Sequence, residues 1–119
     1  TIATIGGVPW YAATIVGLNG GGGVFSLAAG NTAYSITLVP KQPVSAGNTY
    51  GIPSQMDITV IRTGTADSWW GGLGVDIGSV TISTLTANRL VASFNGTLVP
   101  LNAVGNLAVG GGAINAYLQ

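Results

Sequence analysis

The sequence has no cysteine, no histidine and no glutamate, and its charged residues are three Lys/Arg and three Asp in 119 positions. Each absence excludes a chemistry. Without Cys there is no disulfide and no thiol nucleophile. Without His there is no Ser-His-Asp triad, and without either residue there is no zinc site of the usual kind. With three cations and formal net charge zero, the basic footprint of a nucleic-acid-binding protein is missing. Charged residues make up 5% of the chain, against roughly 25% in ordinary soluble domains. Long apolar runs are absent too. Gly, Thr, Ser, Asn or Pro interrupts every stretch well before the roughly 18 residues of a membrane helix.

What remains is apolar and small. Hydrophobic residues are 47% of the chain, with 20 Gly. That composition is the opposite of a disordered segment, which combines low hydrophobicity with high net charge. The length suits one domain, residues 1–119, with a core that needs no staples. The polar surface has to come from 13 Thr, eight Ser and eight Asn. A monomeric cytoplasmic protein usually intersperses charges over its surface, so this balance points to an exported protein, extracellular or at the cell surface. The start at Thr1, without a basic stretch, reads as a processed or trimmed product whose export signal has gone.

The hydrophobic period is two. Tyr34, Ile36 and Leu38 alternate with Ser35 and Thr37, and Met56, Ile58 and Val60 with Asp57 and Thr59. Val80 and Ile82 alternate with Ser79, Thr81 and Ser83, and Leu90, Ala92, Phe94 and Leu98 with Ser93, Asn95 and Thr97. Trp69, Leu73, Val75 and Ile77 share one parity. These are half-buried antiparallel strands. Turn chemistry separates them at Gly6-Gly7, 19–23, Gly30-Asn31, Gly47-Asn48, 63–66, 86–88 and 102–106. The five prolines belong at strand ends or edges, where a missing N–H costs least. The pattern predicts an all-β fold: a single antiparallel sandwich or flattened barrel of eight to ten strands, with little or no helix. Its clearest unit is a hairpin over 78–101, turning near Thr86-Ala87-Asn88.

Several segments carry a resemblance. Ala3-Thr4-Ile5-Gly6-Gly7-Val8-Pro9-Trp10-Tyr11-Ala12 resembles the A-T-(I/V)-x-G-x-x-W-x-A start of a family of small bacterial secreted domains, often lipoproteins, of unknown function. Tyr34-Ser35-Ile36-Thr37-Leu38 and Gly47-Asn48-Thr49-Tyr50 are similar to its next two markers. Gly78-Ser79-Val80-Thr81-Ile82, followed by Arg89-Leu90-Val91-Ala92-Ser93-Phe94, is similar to its central hairpin. Gly111-Gly112-Ala113-Ile114-Asn115 resembles its closing strand. Ala92 stands where that pattern often has Gly, and Ile114 where it often has Phe. The resemblance implies an exported β-sandwich or barrel and no catalytic residues.

Candidate sites are few. Trp69-Trp70 sends its two indoles to opposite faces. Trp69 and Trp10 read as core. Trp70 reads either as a cover for a second layer or subunit contact, or as an outward aromatic for a sugar or partner. Asp57, Asp67 and Asp76 lack calcium-loop spacing and read as solvated, capping or edge-protecting groups, with Arg62 and Arg89 placed to pair with Asp57 or Asp76. Lys41 reads as a solvated loop lysine rather than a partner for Ser45. The glycine tracts 20–23 and 110–112 precede no helix, so they are loops, bulges or close contacts rather than phosphate loops. Asn95-Gly96-Thr97 matches a glycosylation sequon by coincidence.

The inventory argues against an enzyme and calls for no cofactor, no metal, no nucleic acid, no membrane span and no small-molecule ligand. It favours a structural protein that associates with copies of itself, as in a filament, fibre or surface layer. Uncharged segments over 1–18 and 107–119 lack the charges that normally blunt sheet edges. Ile2, Ile5, Tyr11, Trp70, Ile114, Tyr117 and Leu118 are the candidate contact residues. The alternative is an exported, lipoprotein-like accessory domain that docks on a larger complex or holds a small apolar or sugar ligand.

Overall fold

Alternating apolar side chains become strands because one parity can be buried while the other stays wet. The computed structural model describes residues 1–119 and contains eleven strands and no helix. They are β1 (Ile2–Ile5), β2 (Val8–Tyr11), β3 (Thr14–Gly21), β4 (Val24–Gly30), β5 (Tyr34–Pro40), β6 (Asn48–Ile52), β7 (Met56–Arg62), β8 (Ser68–Trp70), β9 (Gly78–Leu85), β10 (Arg89–Asn102) and β11 (Leu107–Tyr117). All pairings are antiparallel. The count exceeds the expected eight to ten, and one strand, β8, has only three residues, too few to show a period.

The sheet curls into a half-barrel and forks at β10. Over Leu90–Gly96 the strand β10 pairs with β9, which continues to β6. Over Val99–Asn102 the same side pairs with β8, which continues through β7, β5 and β4 to β3. On its other side β10 pairs with β11, then β1 and β2. Fourteen residues thus join the two halves of the fold.

The inner parity forms one core of 26 buried residues, and no polar or charged residue is buried with it. Ile36 and Leu38, Met56, Ile58 and Val60, Val80 and Ile82, and Leu90, Ala92, Phe94 and Leu98 all lie inside. Trp10 and Trp69 are core as well. The shared parity of Trp69 with Leu73, Val75 and Ile77 misleads. β8 ends at Trp70, and 71–77 is a loop in which Leu73 and Val75 are 87% and 85% exposed. The close approach of Gly71 to Ile52 and Pro53 turns the chain away there: a Cβ on Gly71 would stand 2.7 Å from the Ile52 side chain.

The tract Gly110–Gly112 is a bulge. Phe94 pairs with Gly112 and Gly96 with Val109, so β11 carries one extra residue between them, and Gly111 takes the left-handed conformation this needs, with φ +55°. The tract 20–23 is the tip of the β3–β4 hairpin.

The first and last strands are not free edges, although the rest of 1–18 supplies two of the outer strands. β1 lies between β2 and β11, and β11 between β1 and β10. The outer strands are β2, β3 and β6, and each carries a local closure. Pro9 removes a donor from β2, and Asn31 Nδ2 donates to Tyr11 O at its end (2.8 Å). On β3, Gln119 N donates to Gly17 O and Asn19 N donates to Gln119 O, both at 2.9 Å. On β6, Gln55 Oε1 accepts from Gly51 N, and Gln55 N donates to Gly51 O.

Candidate functional site

Two features stand out once the strands are in register: a pair of outer faces whose charges stand only at their margins, Asp57 on β7 of the first and Arg89 on β10 of the second, and a cleft at one end.

The outer parity can be read across the fold in rows. Val16, Ala28, Thr37, Thr59, Trp70 and Val99 are successive partners across β3, β4, β5, β7, β8 and β10. On the other half, Tyr11, Ile2, Ala113, Ser93, Thr81 and Thr49 run across β2, β1, β11, β10, β9 and β6. Neither row contains a charge. The first is flanked by exposed Leu18, Ile61 and Leu101. The second is polar toward β6, where the Thr49 and Thr81 hydroxyls share a hydrogen bond of 2.8 Å.

The candidate contact residues separate on this map. Ile2 and Tyr11 are exposed neighbours in the second row. Trp70 is half-buried in the centre of the first, between Thr59 and Val99. Tyr117 is exposed, but its ring already carries the Arg89 guanidinium 5.4 Å from its centroid. Ile5, Ile114 and Leu118 are buried in the chain's own core and present no side chain to a partner. They are inner-parity residues of interior strands or, for Leu118, of the tail that lies on β3.

The ionic pairing also differs from the expected one. Asp57 faces Lys41 (3.4 Å), Asp67 faces Arg62 (3.9 Å), and Arg89 donates to Asn115 Oδ1. Asp76 pairs with no arginine. It accepts from Ser54 N (3.0 Å) and Ser54 Oγ (2.9 Å). These bonds, the backbone one foremost, hold its carboxyl below the ordinary value. The reason is register: the turn over 63–66 brings Asp67 back beside Arg62, and Arg62 N donates to Asp67 O at 2.9 Å, whereas Asp57 lies at the far end of β7. Ser45 is engaged elsewhere, since its N–H donates to the Tyr50 hydroxyl (2.9 Å). Hydrogen bonds with Ser45, the side-chain one foremost, hold the pKa of that phenol below its ordinary value, against a smaller opposing effect of burial.

Arg62 and Asp67 open onto the cleft. Its volume is about 440 Å³, and Trp69, Asn102, Ala103 and Val104 complete its lining. It lies between the β7–β8 turn and the β10–β11 loop. The Arg62 guanidinium rests 5.6 Å from the Trp69 ring centroid and 5.9 Å from that of Tyr34, and the two rings meet edge to face at 6.4 Å. Trp69 Nε1 donates to Gly105 O (2.9 Å), tying the far loop to the floor. Sequence reasoning missed this cluster. The available signal was Arg62 and Asp67 flanking the four-residue turn Thr63-Gly64-Thr65-Ala66, because such a turn sets its flanking residues opposite each other.

No three His, Cys, Asp or Glu side chains gather at one point. No helix is long and apolar enough to cross a membrane. No protein-family model matches the chain, and neither a curated protein nor a solved structure shows a significant likeness to it.

Proposed function

We propose that this chain is a non-enzymatic structural β-domain that packs against copies of itself outside the cell, as a subunit of a filament, fibre or surface layer. The observation that carries the reading is the outer row from Val16 to Val99, apolar at both ends and without a charge along its length. Thirteen large hydrophobic side chains are exposed, while six charged residues serve the whole surface. Copies packed through such faces strip water from few ions, so the desolvation that opposes most protein contacts is small.

The closures on β2, β3 and β6 shift the support from sheet edges to sheet faces. The six strands of this face are seven or eight residues long on β3, β4, β5 and β7 and three or four on β8 and the paired end of β10; at strand spacings of ~4.8 Å and rises of ~3.3 Å they cover roughly 570 Å² per copy, or about 1,100 Å² for a pair. That reaches the roughly 1,000 Å² expected of a specific interface. Stacked sheets pack about 10 Å apart, and the Thr and Ala of the row leave room for Trp70 of a facing copy. Export to the cell exterior is supported by the charge-poor surface and by the resemblance of the opening and central segments to exported bacterial domains.

Sedimentation velocity and negative-stain microscopy test the reading. The chain should form oligomers or polymers, and Ala28→Lys, a single change on an exposed position of the row, should return it to monomer with its thermal midpoint little changed. A wild-type chain that stays monomeric at millimolar concentration overturns it.

A further inference from the structure

The end cleft carries a reading independent of the assembly faces. A guanidinium has five N–H donors, and Arg62 commits itself to one ion-pair contact of 3.9 Å with Asp67, longer than a good hydrogen bond. The two side chains remain 48% and 46% exposed. Asn102 Nδ2 donates to Ala66 O (2.8 Å), which leaves its Oδ1 as an acceptor. Ala103 and the fully exposed Val104 supply an apolar wall. Donors, acceptors and an apolar wall therefore meet in one cavity of small-ligand size.

We propose that this cleft binds a neutral sugar ring of a glycan. The charges decide the class. An anion drawn by Arg62 meets Asp67, and a cation drawn by Asp67 meets Arg62. An apolar ligand takes water from both and returns no hydrogen bonds. Vicinal hydroxyls donate to a carboxylate and accept from a guanidinium at once, and a sugar's C–H face suits the Ala103–Val104 wall. Trp69 is 3% exposed and does not stack on the ring. It lies under Arg62 and holds the Gly105 loop, so it reports on both sides of the cleft.

The test uses a variant with Trp10→Phe and Trp70→Phe, leaving Trp69 as the one indole, at a dilution where sedimentation shows monomer. Cellohexaose, maltohexaose, mannohexaose and chitohexaose, with hexagalacturonate as the acidic comparison, are titrated against Trp69 emission. At least one should give a saturable change with millimolar or tighter affinity. Arg62→Ala should weaken it at least about tenfold. Val104→Asp, a surface change that leaves folding intact, should do the same. The proposal is overturned by no saturation with any of the four, by binding confined to hexagalacturonate, or by binding that a folded Val104→Asp variant leaves unchanged.

Discussion

The ring of Phe94 occupies the space where a side chain on Gly112 would stand. The two residues are direct partners across β10 and β11, and a Cβ on Gly112 would lie 2.5 Å from the Phe94 ring carbons. The glycine is therefore part of the core's shape. Gly112→Ala should destabilise the fold by about 1–3 kcal/mol through overpacking. Adding Phe94→Leu should recover part of that loss, because the smaller side chain frees the space. Urea denaturation of the four members of the cycle measures the coupling, and strict additivity would contradict the contact.

Trp10 and Trp69 are equally buried but differently satisfied. Trp69 Nε1 has Gly105 O as its acceptor, while Trp10 Nε1 is buried without a partner. Replacing each by Phe removes similar apolar area and leaves an aromatic ring beside Arg62 and Tyr34 at position 69, so the difference is chiefly the hydrogen bond. Trp69→Phe should cost more than Trp10→Phe by about 1 kcal/mol, since it also strands a loop carbonyl. Paired thermal or urea unfolding curves give the comparison.

Asp76 should set part of the acid limb of stability. Ser54 N–H and then its hydroxyl hold the Asp76 carboxyl below the ordinary value in the folded chain. A depressed folded value means the stabilisation is complete above the unfolded carboxyl value, near pH 4. It is lost as pH falls through the folded one. Asp76→Asn should therefore flatten the fall in stability below about pH 4 and leave the slope between neutral and mildly acidic pH unchanged. Unfolding midpoints across that range read both parts.

Gly17 lets the end of the chain lie on β3. A Cβ there would stand 2.6 Å from Tyr117 O and 2.9 Å from a Leu118 methyl. Gly17→Val should displace the tail, open the β3 edge and expose Leu118. Hydrogen exchange at Asn19 and Gln119 should accelerate, and the variant should aggregate faster than the parent. An unchanged exchange rate at Asn19 would show that the tail does not close this edge.

Much of the fold was legible because alternation is local. Ile36 and Leu38, Met56, Ile58 and Val60, and Leu90, Ala92, Phe94 and Leu98 declare their inner face within a few residues, and the core contains all of them. Pairing between distant segments has no such signature. Nothing in Ile2–Ile5 says that β11 is its neighbour, and nothing in Arg89–Asn102 says that the strand serves two branches. The parity of Leu73 and Val75 misled because periodicity cannot see Gly71 packing against Ile52 and Pro53. The cleft was partly legible, since Arg62 and Asp67 flank a short turn, but the stack of Arg62 on Trp69 and Tyr34 depends on where three strands meet.

The placement of β1 bears on the order in which the fold can form. The β1–β2 hairpin is a four-residue pair, too small to persist alone in water. The sheet it joins begins at β11, more than a hundred residues later in the chain. As the polypeptide emerges from the ribosome, β1 and β2 therefore wait, unburied, for β11. Loop closure over that distance makes the final step slow compared with the local β9–β10 hairpin. A strand made well before its partner is among the last to become native.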